Sequence, residues 1–350
     1  MIEYIESLIE FSKISNSDSF ISEEKQISNS IQNILAEVYL NDGDEIQLVE
    51  KTIEALNVSR SHHIKLESMF IHGNRSQIKF QYYGKSAQKE LGDLILVSTL
   101  TRRGKPILQK LTIIQAKRDT TKPGSWGIDK EQLFFLSNWP IFSGVKGIFP
   151  KKNLTIPDFS GCLGSYYLYR EPGDIVFISA RELENLLGSK KRISLDDIMK
   201  SYTENSKHQN NSFGFSPLTG LHPKELYHLS REYFYIMEEL GHFPHPYMTY
   251  TGNNLPILQN VCICKNIFDG IRNFARLNIG EPVFSKDAVI QVNEFGYRML
   301  NTIIRYISRK EQGRLGQLMS FNSDAPYFQE LNMEGISVGI VHTITEVSPG

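Results

Sequence analysis

Three side chains of different chemistry are spaced so that one hairpin would bring them together: the Asp93 carboxylate, the Gln115 amide and the Lys117 ammonium group. They lie near the ends of two apolar segments, residues 91–100 and 106–117. Carboxylate and amide oxygens are ligands that a hard cation such as Mg²⁺ prefers. An ammonium group beside them can stabilise negative charge that develops during a reaction. The three residues are therefore suited to metal-assisted hydrolysis.

The intervening residues 102–105, Arg-Arg-Gly-Lys, are typical of a turn between two strands. If the antiparallel hairpin is centred on the glycine of this turn, Asp93 lies opposite Gln115, with Cβ atoms about 4.5–5.5 Å apart. Because side chains alternate along a strand, Lys117 shares the face of Gln115, and Ala116 points away. A shift of one residue in register would separate these groups.

This patch resembles the core of the PD-(D/E)XK nuclease superfamily, in which an Asp ends one strand and an (Asp/Glu/Gln)-x-Lys triplet lies on the next. Asp93 and the triplet at 115–117 match that pattern, and the Gln form of the triplet is similar to Mrr-type restriction enzymes. The resemblance covers about residues 62–140. The chain departs from the common pattern at Gln115, which removes one anionic ligand, while Gly92 fits the looser form of the residue before the Asp.

The resemblance implies a Mg²⁺ cofactor, with Mn²⁺ as an alternative. Its ligands would be Asp93, Gln115 and the main-chain carbonyl of Ala116. Lys117 would orient the attacking water and stabilise charge on the phosphate. Glu90 joins the catalytic set only if the strand is kinked before Asp93, because on a regular strand it faces the other way.

The stretch 101–128 carries seven basic residues and one acidic residue, Asp119, in a chain of net charge −1. The basic residues are Arg102, Arg103, Lys105, Lys110, Lys117, Arg118 and Lys122. Such clustering favours salt-dependent binding of phosphates, and a solvated hairpin tip is the alternative. The residues predicted to bind nucleic acid are Arg102, Arg103, Lys105, Arg118 and Lys122.

The composition is that of an ordinary globular chain: 350 residues, 40% hydrophobic and 22% charged. Three cysteines without a CxxC pair argue against a disulfide framework and favour the cytoplasm. No apolar run reaches the ~18 residues of a membrane span, so we expect no membrane association.

The pattern of elements predicts an α/β fold: a restriction-endonuclease-like mixed sheet flanked by helices, followed by a mainly helical C-terminal region. We place the α/β domain at 1–202, a linker at 203–217 and the helical region at 218–350. An N-terminal helix is predicted to begin after Ser22. Its Glu24 is either a capping-turn carboxylate or an acidic residue that reaches the site.

The C-terminal region carries helical patterns at 223–241, 265–277 and 286–309. Residues 336–347 alternate like a strand, whose partner the sequence does not reveal.

We therefore predict a metal-dependent endonuclease that acts on DNA, with RNA as an alternative substrate. The resemblance suggests bacterial restriction or anti-phage defence. A second interpretation is a catalytically degenerate nucleic-acid-binding or scaffold subunit of a larger defence complex, in which Gln115 marks the lost site. We also expect a homo-oligomer, and a third interpretation gives the C-terminal region a larger ATPase or sensor as its partner.

Overall fold

A computed structural model describes residues 2–58, 62–71, 77–119, 122–146, 153–155, 162–211, 261–285 and 338–347. The helices of these residues are α1 Ile2–Ser15, α2 Asp18–Leu40, α3 Glu45–Val58, α4 Lys130–Asn138, α5 Ala180–Leu187, α6 Leu195–Asn211 and α7 Ile267–Ala275. The strands are β1 Ile64–Ile71, β2 Gln77–Tyr82, β3 Lys85–Glu90, β4 Leu94–Arg102, β5 Lys105–Arg118, β6 Ser125–Gly127, β7 Phe142–Lys146, β8 Gly164–Arg170, β9 Asp174–Ser179, β10 Arg192–Ser194, β11 Ile263–Cys264, β12 Glu281–Ser285 and β13 Val338–Val347.

The main sheet is mixed and runs in the order β1-β13-β4-β5-β8-β9-β11, with β12 also paired to β5. The pairs β13–β4 and β5–β8 are parallel, and the other pairs are antiparallel. Smaller sheets join β3-β2-β7 and β10-β6. The predicted mixed sheet flanked by helices is confirmed at this level of detail.

The central hairpin has the predicted register. Leu94 pairs with Ile114, and one irregularity before the turn leaves Arg102 opposite Lys105. The turn is formed by Arg103 and Gly104, both with positive φ, which suits a tight reversal. Extending the pairing by one residue sets Asp93 beside Gln115, as the alternation of apolar residues requires.

Two apolar cores lie on opposite faces of the sheet. Ile95, Val97 and Ile113 face a core completed by α4 and α5. Leu94, Leu96 and Ile114 face the other core, under α2, α3 and α7. Strands β4 and β5 are therefore largely apolar on both faces next to Asp93, whereas Ser98, Gln109 and Lys110 place buried polar groups nearer the turn.

The second helix begins earlier than predicted. Its N-cap is Ser17, whose hydroxyl accepts from the Phe20 N–H at 3.3 Å, so the expected start after Ser22 is wrong. Glu24 does not enter the site: it is buried, and its carboxylate accepts from Arg276 Nε at 2.8 Å. The pair joins α2 to the end of α7.

The described segments of the C-terminal region belong to the main sheet. Residues 261–285 supply β11, α7 and β12, and residues 338–347 form β13 between β1 and β4. For these segments the expectation of a separate, mainly helical region has to be corrected, because strand pairing with the N-terminal part fixes them. Residues 203–211 of the predicted linker are the end of α6; its residues 212–217 and the predicted helices 223–241 and 286–309 lie outside the described residues.

None of the described helices is long and apolar enough to cross a membrane.

Candidate active site

Asp93 lies where the chain passes from β3 into β4. Its N–H donates to the Ile114 carbonyl at 2.8 Å, which extends the hairpin by one bond. The residue before it must be small: a Cβ on Gly92 would lie 2.7 Å from Ile113 Cγ2 and 2.9 Å from the Ile114 carbonyl oxygen. Gly92 therefore permits the close approach of this segment to β5, and that approach places Asp93 beside β5.

The Asp93 carboxylate is bound from β5. Its Oδ2 accepts from the Ala116 N–H at 2.7 Å and from the Gln115 side-chain amide. Burial raises the pKa of Asp93 to about 7, although the Ala116 N–H and the charge of Lys117 oppose that shift. Both its protonated and its ionised form are therefore populated near neutral pH, which is a property found at functional sites.

Lys117 is held by an acidic residue that the sequence analysis missed. Its Nζ lies 2.9 Å from Glu45 Oε1, and Glu45 Oε2 accepts from the Arg118 N–H at 3.2 Å. Glu45 is the first residue of α3, where a carboxylate also complements the helix dipole. Its charge contributes to the raised pKa of Asp93, so it is electrostatically part of the site. The sequence signal was an acidic first turn, which is too common to single it out.

Glu90 ends β3, and the chain is irregular at Leu91 and Gly92 before β4 begins. This is the break that the involvement of Glu90 requires. The Glu90 main-chain carbonyl accepts from Gln132 Nε2 of α4 at 2.7 Å, which fixes α4 against the site. The Glu90 charge also helps to raise the pKa of Asp93, so the two carboxylates lie within electrostatic reach of each other.

The donor set fits a hard cation once one amide is turned. Asp93, the Gln115 amide oxygen and the Ala116 carbonyl are oxygen ligands of the kind that Mg²⁺ takes, whereas both Glu45 oxygens are engaged with Lys117 and Arg118. In the structure Gln115 presents its N–H, not its oxygen, to Asp93. A half-turn of that amide exchanges the two atoms, and a cation between the oxygens would remove their repulsion. Among the described residues no group of three His, Cys, Asp or Glu side chains is arranged to hold a metal ion. A cation at Asp93 would therefore also need the Gln115 amide oxygen and the Ala116 carbonyl oxygen as ligands.

The hairpin tip is far from Asp93. Strand β4 has nine residues between the two, and at about 3.3 Å per residue it spans roughly 30 Å. Arg103 and Lys105 are exposed at this distant end. The tip residues predicted to bind nucleic acid therefore do not lie beside the site, because a hairpin turn and its open end are at opposite ends of the strands.

Two arginines of the predicted basic cluster form ion pairs with acidic residues that are distant in the sequence. Arg102 Nη1 lies 3.0 Å from Glu6 Oε2 of α1. Arg118 Nη2 lies 2.9 Å from Asp42 Oδ1, and its guanidinium carbon is 5.1 Å from the centre of the Tyr39 ring. These contacts reduce the charge that both arginines can offer to a phosphate.

Lys110 is fully buried in the sheet. Burial lowers its pKa to about 7, and the nearby charges of Cys162 and Glu281 oppose that shift. It is therefore unable to contact a polyanion in this structure.

Past the end of β5, Lys122 is exposed. Trp126 is fully buried, and its Nε1–H donates to the Tyr169 carbonyl at 2.8 Å, so this aromatic side chain packs in the core and is not exposed to a base.

The structure thus brings together Asp93, Gln115, Ala116 and Lys117 with Glu45, sets Glu90 nearby, and leaves the predicted tip residues at the far end of the hairpin. Comparisons of the chain with protein-family models, with curated proteins and with solved structures found no match.

Proposed function

We propose that this chain is a metal-dependent nuclease whose site is centred on Asp93. The observation that carries the proposal is the contact of the Asp93 carboxylate with the Gln115 amide and the Ala116 N–H, one residue from the Lys117 ammonium group. A carboxylate whose pKa is raised to about 7 beside a fixed cation is suited to hydrolysis of an anionic ester near neutral pH. The resemblance to the PD-(D/E)XK pattern supports the same class of reaction.

Asp93, Gln115 and the Ala116 carbonyl would hold Mg²⁺ or Mn²⁺. The cation would neutralise charge on the phosphate and assist the attack of water. Lys117, held in place by Glu45 at 2.9 Å, would stabilise the negative charge that develops on the phosphate as water attacks. Glu45 is a positioning residue in this scheme.

A second candidate is a nucleic-acid-binding subunit without catalysis. It is favoured by the way the site is satisfied internally: Gln115 and Ala116 both donate to Asp93, and Lys117 is paired with Glu45. A site whose carboxylates, amide and ammonium group are paired within the chain does not need a cation to be stable. This arrangement is what a degenerate site would retain.

Metal-dependent cutting separates the two candidates. Supercoiled plasmid, linear duplex, single-stranded DNA and RNA are incubated with the purified chain in Mg²⁺, in Mn²⁺ and in EDTA. We expect cutting that EDTA abolishes and that Asp93→Asn and Lys117→Ala each reduce by about 10²-fold or more. Lys65→Ala, an exposed lysine on β1, is the matched control. Binding without cutting in every metal supports the second candidate.

Several finer features remain parts of this proposal. They are a preference for DNA over RNA, a role in bacterial restriction or anti-phage defence, a homo-oligomeric state, a larger ATPase or sensor as partner, and a cytoplasmic location. The substrate panel tests the first, and co-purification from the native host tests the partners.

A further inference from the structure

A two-stranded ribbon lies just beyond the lysine end of β5. In it β6 and β10 pair antiparallel, with Trp126 opposite Ile193 and Gly127 opposite Arg192. Trp126 and Ile193 are fully buried in the core that lies on the same face as Ile95 and Ile113. Asp93 and Gln115 have the same parity along their strands as Ile95 and Ile113, so their side chains start from the face on which the ribbon packs, while Glu45 reaches Lys117 from α3 on the other face.

Hydrogen bonds tie the ribbon to the end of β5. The Gly124 N–H donates to Asp119 Oδ2 at 2.8 Å, and the Leu195 N–H donates to the Gly124 carbonyl at 2.8 Å. Asp119 follows Lys117 by two residues, which is about 7 Å along a strand. The ribbon therefore begins close to the lysine of the site, while the hairpin tip is roughly 30 Å away.

The two ribbon segments are basic. Residues 122–127 and 188–194 contain Lys122, Lys190, Lys191 and Arg192 and no acidic residue. Lys190 is paired with Asp197 at 2.9 Å. Lys122 and Lys191 are exposed, and Arg192 is exposed with its guanidinium group oriented by the Ser125 carbonyl at 2.7 Å. Three cations are thus presented on a fixed backbone.

We infer that this ribbon, made of residues 122–127 and 188–194, binds the sugar–phosphate backbone of a nucleic acid and leads it into the site at Asp93. The inference rests on the proposed function for the identity of that site. A sugar–phosphate backbone fits because it presents several negative charges in succession, and exposed cations stand near both ends of the ribbon: Lys122 precedes β6, and Lys191 precedes the antiparallel β10. The ribbon carries no exposed aromatic side chain for stacking on bases, and Arg192 already donates from Nε and Nη2 to Ser125, so we expect it to hold the backbone without reading bases.

The test measures binding of a fluorescent 20-base-pair duplex, and of one strand of it, at several salt concentrations in EDTA. For Lys122→Ala/Lys191→Ala we expect a plot of log K against log salt that is shallower by about 1.8, and affinity lower on the order of 60-fold at 0.1 M salt, if both lysines neutralise a phosphate. Two unrelated duplex sequences should lose affinity equally. The matched control is Lys25→Ala/Lys65→Ala, which removes two exposed lysines from α2 and β1.

A third variant, Arg103→Ala/Lys105→Ala, compares the ribbon with the hairpin tip. An unchanged slope in the ribbon variant overturns the inference, as does a larger loss in the tip variant. Binding of the wild-type chain to vesicles containing anionic lipid, without binding to either nucleic acid, also overturns it. Thermal unfolding of each variant checks the fold, and Lys122→Glu/Lys191→Glu should give a larger loss than the alanine pair.

The same assays separate this inference from the proposed function. Ribbon-dependent binding with no cutting in any metal rejects the nuclease and keeps the ribbon. Cutting by the ribbon variant with unchanged KM rejects the ribbon and keeps the nuclease.

Discussion

The raised pKa of Asp93 predicts that the folded chain loses stability as the pH rises through neutrality. Burial moves this pKa from 3.8 to about 7. The folded state therefore holds a proton that the unfolded state has released, so the stabilisation is present at low pH and is lost as the pH rises through the folded value. Integrating proton binding between pH 6 and pH 8 gives a loss of about 1.4 kcal/mol in the free energy of unfolding.

Urea unfolding of the wild-type chain and of Asp93→Asn, at pH 6, 7 and 8, measures this loss. The asparagine has nearly the same shape and cannot ionise, so its stability should lack this term, while the nine histidines titrate in both proteins and cancel in the difference. The wild-type minus Asp93→Asn difference should fall by about 1.4 kcal/mol across the range in EDTA. Equal pH dependence in the two proteins refutes the reasoning.

Adding Mg²⁺ extends the same experiment to the metal. A ligand that binds only the folded, ionised site stabilises it by RT ln(1 + [L]/Kd). The wild-type chain at pH 8 should therefore gain more stability from Mg²⁺ than at pH 6, and Asp93→Asn should gain little at either pH. An equal gain in both proteins would mean that the cation binds elsewhere.

Three further predictions concern the surroundings of the site and the joint between helices. Glu45→Gln removes a charge that raises the pKa of Asp93, so the acid limb of the pH–rate profile for cutting should move to lower pH; an unmoved limb contradicts this role. Gln115→Glu sets a second carboxylate against Asp93 and should lower the free energy of unfolding in EDTA at pH 8 by about 1–3 kcal/mol, with recovery and retained cutting in Mg²⁺; a loss that Mg²⁺ does not reduce argues against a shared cation. Arg276→Ala leaves the buried Glu24 unpaired and should destabilise the chain by about 3–5 kcal/mol in urea unfolding, with partial recovery when Glu24→Gln is added.

The central hairpin and the core of the candidate site could be predicted from the sequence, because their contacts are local. The alternation of apolar residues in 91–100 and 106–117 and the turn at Gly104 fix one register. That register sets Asp93 against Gln115 with Lys117 on the same face. The distance of roughly 30 Å between the hairpin tip and Asp93 also follows from the length of β4 alone. Counting the charges of residues 101–128 together hides this distance, because the count does not consider where each residue lies along the strands.

What only the tertiary structure decided depends on contacts between distant parts of the chain. A window that counts seven basic residues against one acidic residue cannot include Glu6, Asp42 or Glu45, which approach from the N-terminal helices and pair with Arg102, Arg118 and Lys117.

The place of β13 is a second such case. Its alternation identifies a strand, but its place between β1, to which it pairs antiparallel, and β4, to which it pairs parallel, depends on strand edges that distant parts of the chain supply. The sequence by itself determined the central hairpin and the local arrangement of Asp93, Gln115 and Lys117. The folded chain determined which of its charges remain available to a ligand, because an ion pair forms wherever folding brings opposite charges together, at any separation along the chain.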